Sequence, residues 1–193
     1  GGVQMDNNIL KISYSPISTI DDISLLAKKA VNLLKDGNFT IAVAESCTGG
    51  MISQAITSIP GASSVYEFGV CTYSNRMKTE FLNVSPVILD TLGAVSYETA
   101  EAMANGLKIR SGADMCISVT GFAGPTSDTI DTPVGTVYVG VFFKDRTFVR
   151  LLRLWGMGYN RDTIRRKTTV CVFEIVISIL ENIKDYTNRR IFG

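Results

Sequence analysis

Ser46 within AESCTGG (44–50), Lys78 at the end of YSNRMK (73–78), and the arginines Arg161 and Arg165 are the side chains of this sequence with reactive potential. A serine hydroxyl becomes a nucleophile only when a base takes its proton. The chain contains 0 His, so histidine-based triads, histidine metal ligation and imidazole proton shuttling are excluded. A partly desolvated lysine, its pKa lowered toward neutrality, can serve instead, and Ser46 with Lys78 would form such a dyad. Backbone N–H groups just after Ser46 or around Gly121 would hold the oxyanion. Arg161 and Arg165, four residues apart on one helical face, could grip a phosphate or carboxylate through their forked donors. Each feature also has a plainer use. Ser and Thr in a strand-to-helix turn cap helices, and Thr48 suits that role; a lysine is ordinarily solvated; Asp162 can answer the arginines from within the chain.

These residues need a scaffold, and the pattern supplies one. Residues 39–44, FTIAVA, read as a buried strand ending in AESCTGG, where small residues and a Gly pair leave a crevice position for ligands. A helix is expected over 19–36, opened by Thr19 or Asp21 and stopped by Asp36-Gly37, with Ile23, Leu26, Ala27, Ala30, Leu33 and Leu34 near a 3.6 period. After Ser46, the set Met51, Ile52, Ala55, Ile56 and Ile59 marks a second helix. Its amino end at 48–50 is expected to aim free N–H groups and positive dipole into the crevice. A strand over 65–73 leads into Asn75 and Lys78. A connector with one short helix (82–96), a helix over 97–111 capped by Ser96, and a strand over 114–120 follow. Beyond it, Gly121, Gly124 and Pro125 suggest a close backbone path around a ligand. Strand-like runs at 134–143 and 146–155 flank Lys144-Asp145 and signal a hairpin, and 160–183 reads as a long helix. The order predicts a single three-layer α/β/α domain with a mixed sheet. It spans 19–185, between a lead-in with an expression scar (GGVQMDNN within 1–18) and a tail at 186–193.

Composition narrows the classes further. With 46% hydrophobic and 19% charged residues, the chain has an apolar surplus that a homodimer or larger homo-oligomer surface could absorb. A net charge of +1 gives no basic field for nucleic acid. The 4 cysteines form no close pair and read as reduced, and no signal peptide or membrane segment is visible, so a cytoplasmic location is expected. Neither a dinucleotide fingerprint nor a P-loop is present. Glu45, Asp114, Asp128, Asp131 and Asp162 are scattered, so no metal site is expected.

Five motifs in order, AESCTGG (44–50), YSNRMK (73–78), GAVS (93–96), VTGFAGP (119–125) and PVGTVYVG (133–140), resemble the CinA carboxyl-terminal domain family. Its enzymatically defined members are nicotinamide-nucleotide amidases, and the resemblance spans about 25–183. It implies a three-layer α/β/α fold, no cofactor or metal, and hydrolysis of nicotinamide mononucleotide to nicotinic acid mononucleotide and ammonia. By position, Ser46 matches the nucleophile and Lys78 the lysine of its dyad. Tyr73 and Asn75 match the patch beside that lysine, Tyr73 being placed with the catalytic groups. Glu45, Thr48, Gly49, Gly50, Asn75, Thr120, Gly121, Gly124, Arg161 and Arg165 are expected on the substrate side. The loop TSDTIDT after Pro125 departs from the glycine-richer form common in the family, which bears on substrate access. A nucleotide-binding module without turnover and a non-catalytic interaction domain are the alternative classes.

Overall fold

Three apolar strands run parallel, and their carboxyl ends meet at one edge of the sheet. In the computed structural model, which describes residues 19–127 and 132–191 (side chains as far as Ile183 in the last helix), the strands are β1 (Ile41–Glu45), β2 (Tyr66–Cys71), β3 (Met115–Gly121), β4 (Thr136–Phe143) and β5 (Arg146–Arg153). Their spatial order is β2-β1-β3-β4-β5, with β1 parallel to both β2 and β3, and β4 antiparallel to β3 and to β5. The helices are α1 (Ile23–Gly37), α2 (Met51–Thr57), α3 (Asn75–Leu82), α4 (Pro86–Thr91), α5 (Tyr97–Ser111) and α6 (Arg161–Ile191). The expected lead-in at 1–18 and part of the polar loop, 128–131, lie outside the described residues.

Strand alternation divides the core in two. On one face Ile41 and Val43 join Ile117, Val139 and Phe143 beneath α1, α2 and α6. On the other, Ala42 and Ala44 join Cys116 beneath Leu82, Met103 and Leu107 of α3 and α5. The second face is built from small residues because α5 lies close on it. Ser118 Oγ donates to the Ala100 carbonyl at 2.6 Å, and a Cβ at Gly140 would collide with that same carbonyl. A mixed sheet covered on both faces is the three-layer α/β/α arrangement expected from the sequence.

Local chemistry sets the boundaries. Ser96 Oγ accepts the Thr99 N–H at 3.2 Å and opens α5. The β4–β5 hairpin turns on Lys144 and Asp145, both in the left-handed region (φ 49° and 59°), the twist that a two-residue turn requires. α1 ends one residue later than expected, with Asn38 rather than Gly37 taking the left-handed position (φ 54°). Asn160 Oδ1 accepts the Thr163 N–H at 2.9 Å and starts α6, which continues to Ile191, past the expected end at 183. Among the described residues no helix is long and apolar enough to cross a membrane.

A tight contact between α5 and the end of α3 yields a test. Gly106 on α5 faces the carbonyl of Leu82, and an added Cβ would run into that oxygen. Alanine's better helix propensity, about 1 kcal/mol, is smaller than the overpacking penalty of a rigid backbone contact. Gly106→Ala should therefore lower unfolding stability by about 2 kcal/mol, read from denaturant midpoints at unchanged m-value.

Candidate active site

Ser46 follows directly on β1, and Lys78 sits in the first turn of α3, 32 residues later, yet Lys78 Nζ lies 3.1 Å from Ser46 Oγ. The path between β2 and α3 makes this possible. After Cys71 the chain leaves the sheet, Ser74 Oγ caps α3 by accepting the Met77 N–H at 3.3 Å, and Lys78 is thrown back over the preceding carbonyls. Nζ contacts the Thr72 carbonyl at 2.9 Å and the Tyr73 carbonyl at 3.4 Å. Lys78 is 1% exposed and Ser46 8%, and among the described residues no carboxylate bonds the amine. Burial penalises the ammonium and brings the Lys78 pKa from 10.5 down to about 8. A neutral amine has two N–H donors for the two carbonyls, leaving its lone pair for the Ser46 hydroxyl.

The neighbouring thiol does not compete. Burial, with Glu45 adding to it, pushes the Cys47 thiol up to about 12, against the opposing pull of Lys78 and Arg165. It remains a protonated, inert side chain.

Glu45 takes a different place from the one expected. It is fully buried, and its Oε2 accepts the N–H groups of Gly50 (3.0 Å) and Ile52 (3.1 Å). Its Oε1 accepts the Ser53 N–H (2.9 Å) and Ser53 hydroxyl (2.6 Å). The carboxylate thus fills the amino end of α2, so the dipole and donors expected to face the crevice already have their anion. The Glu45 carboxylate caps α2, and Thr48 does not. Among the described residues the buried hydroxyls of Thr48 and Thr72 have no hydrogen-bond partner. Gly49 and Gly50 hold the turn in the left-handed region (φ 61° and 94°).

The arginines close over this turn. Arg165 donates from Nε to the Cys47 carbonyl (3.1 Å) and from Nη2 to the Thr48 carbonyl (2.9 Å). Arg161 donates from Nη1 to the Gly124 carbonyl (2.6 Å) and from Nη2 to the Tyr73 hydroxyl (2.9 Å). Asp162 pairs with Arg166 at 2.6 Å instead of with either. Tyr73 therefore meets Lys78 through its backbone while its exposed ring reaches Arg161. Asn75, the first residue of α3, is exposed. Thr120 is 1% exposed and donates its hydroxyl to the Ala94 carbonyl at 2.6 Å, which ties VTGFAGP to GAVS and removes Thr120 Oγ1 from the substrate side. Gly121 pairs with Val137, where a Cβ would press on that strand. No group of three or more metal-ligating side chains occurs among the described residues.

The family model "CinA C-terminal domain" matches residues 23–180. A protein of Caldanaerobacter subterraneus named as competence-damage inducible is 41% identical over 178 residues, covering 92% of this chain and 42% of the relative. A Thermotoga maritima CinA-like protein is 41% identical over 160 residues, covering 83% of this chain and 36% of its own length. The chain thus spans about two-fifths of the curated relatives it matches. Among solved structures, a competence/damage inducible protein of Agrobacterium tumefaciens is similar with TM-score 0.78 and 34% identity, over 87% of this chain and 99% of that one. A CinA superfamily protein of Escherichia coli gives TM-score 0.83 and 27% identity, over 91% and 99%.

Two stability measurements follow from the buried charges. Lowering the Lys78 pKa from 10.5 to about 8 corresponds to about 3 kcal/mol of destabilisation while the native amine is protonated. Between those values the unfolded chain binds the proton that the native state has released, so native stability rises with pH. Lys78→Met lacks that slope; its stability relative to the unsubstituted protein should be highest below pH 8 and decline by about 3 kcal/mol by pH 10.5. Glu45→Gln, which turns an amide NH2 toward backbone donors, should lower stability by about 3 kcal/mol, read from its denaturant midpoint.

Proposed function

We propose that this chain, which belongs to the CinA C-terminal domain family, hydrolyses the carboxamide of nicotinamide mononucleotide to the carboxylate and ammonia. The observation that carries this reading is the 3.1 Å approach of a buried lysine amine to Ser46 Oγ. The activity itself is the one implied by the family's nicotinamide-nucleotide amidases.

The steps follow from the donors available. Lys78 Nζ takes the Ser46 hydroxyl proton as Oγ adds to the carboxamide carbon. The carbonyl oxygen becomes an oxyanion facing the backbone N–H groups after Ser46. Lys78 then gives its proton to the amide nitrogen, the C–N bond breaks, and ammonia leaves an acyl-Ser46 ester. Water attacks the ester carbon while Lys78 accepts one of its protons. Collapse returns a proton to Ser46 Oγ and releases the carboxylic product. The nucleotide phosphate requires a cation. Arg165 is held on two carbonyls and the α2 amino end is occupied by Glu45, so the exposed Arg161 beside Tyr73 is the phosphate ligand in this scheme.

Ammonia release from nicotinamide mononucleotide tests the reading directly. Ser46→Ala should reduce turnover by about 10³-fold or more while retaining the fold. Because the base must be the neutral amine, kcat/KM should rise about tenfold per pH unit and level off above about pH 8. Undiminished turnover in Ser46→Ala would refute the serine mechanism. Substrate binding with no ammonia release would select a nucleotide-binding module instead.

A further inference from the structure

Between Cys47 and Ser53 the backbone N–H groups divide sharply. Gly49 donates to the Ser46 carbonyl (3.1 Å) and Met51 to the Thr48 carbonyl (3.3 Å), while Gly50, Ile52 and Ser53 donate to the Glu45 carboxylate. The Thr48 N–H has no hydrogen-bond partner among the described residues, and the Cys47 N–H has only its own side-chain sulfur. They are the first two amides after the Ser46 hydroxyl, and the residue following a nucleophile supplies an oxyanion donor in unrelated hydrolases.

We infer that Arg165 is the positioning residue that aims the second of these amides, the Thr48 N–H, by fixing the peptide plane between Cys47 and Thr48. A trans peptide is planar, with its C=O and N–H antiparallel. When Arg165 Nε holds the Cys47 carbonyl at 3.1 Å, the Thr48 N–H is directed to the opposite side. The second prong, Nη2 on the Thr48 carbonyl at 2.9 Å, fixes the next plane, whose own N–H goes from Gly49 to the Ser46 carbonyl. Two bonds from one rigid guanidinium stop rotation about either of them, which a lysine's single ammonium point cannot do. The fork lies directly on the turn: a Cβ at Gly49 would be 3.2 Å from Arg165 Nη2. Its base is firm, because Ile164, Thr168 and Thr169 on the same turns of α6 are buried. Arg165 thus acts through the turn on the developing oxyanion. This gives it a role other than the direct anion grip suggested by its helical spacing with Arg161.

The role rests on the amidase reading, so the experiment separates the two. Steady-state hydrolysis of nicotinamide mononucleotide is measured for the unsubstituted protein, Arg165→Met and Arg165→Lys, with thermal unfolding of each. Misaiming one oxyanion donor should lower kcat of Arg165→Met by about 100-fold with KM changed less than about threefold. Arg165→Lys, keeping the charge and losing the fork, should recover at most about a tenth of kcat. A higher KM at unchanged kcat would make Arg165 a substrate ligand and overturn the inference. Full kcat in Arg165→Lys would overturn it as well, and this variant decides if Arg165→Met does not fold. No turnover in the unsubstituted protein would overturn the amidase reading and this role with it.

Discussion

The buried Glu45 carboxylate is the constraint on which the site's shape depends. A charge removed from water must be met by donors, and here four of them converge from a single turn and the helix it opens. Meeting that requirement pins the amino end of α2 to the carboxyl end of β1 and forces the intervening residues into a tight loop. Gly49 and Gly50 are at the two places where that loop takes positive φ. Ser46 is thereby presented at the sheet edge instead of being carried into the helix, and the helix dipole is neutralised internally.

The second organising feature is a cation kept without a counter-ion. Lys78 is surrounded by backbone carbonyls and a serine hydroxyl, which bond an amine but do not stabilise an ammonium as a carboxylate would. Glu45, next to Ser46 in the chain, is turned toward α2, with both its oxygens occupied. The same burial that brings the lysine toward neutrality holds the Cys47 thiol protonated. One desolvated environment therefore produces a base and silences the competing nucleophile beside it.

The motifs that carry the family resemblance do different physical work. AESCTGG and YSNRMK bring together Ser46, Lys78 and the carbonyls that hold the amine. GAVS is a buttress: Gly93 and Ala94 offer carbonyls to the hydroxyls of Thr99 and Thr120 while Ser96 caps α5. VTGFAGP joins that buttress through Thr120 and meets α6 through the Gly124 carbonyl. A motif marks a residue that the fold cannot do without, and only its contacts show whether the need is chemical or architectural.

Much of the scaffold was legible in one dimension because its causes are local or periodic. The α5 bounds follow from the Ser96 cap and a 3.6-residue stripe, the β4–β5 hairpin from two strand-like runs around a two-residue turn, and the mixed sheet from the order of elements. The candidate pair Ser46 and Lys78 was legible too, since the absence of His leaves few bases for a serine. The partners were not. Glu45 beside a Gly pair resembles a ligand until the path of the chain turns it onto α2; a carboxylate just before a helix start was the only hint. Arg161 and Arg165 have helical spacing for a shared anion, yet the packing of α6 against the β1–α2 turn sends one to two carbonyls and the other to a carbonyl and a phenol. Residue type and spacing fix which groups can react and which elements carry them. Hydrogen-bond partners more than 100 residues apart, and the burial that sets a lysine's proton affinity, exist only once the layers are packed, because both depend on distance in space and on exclusion of water.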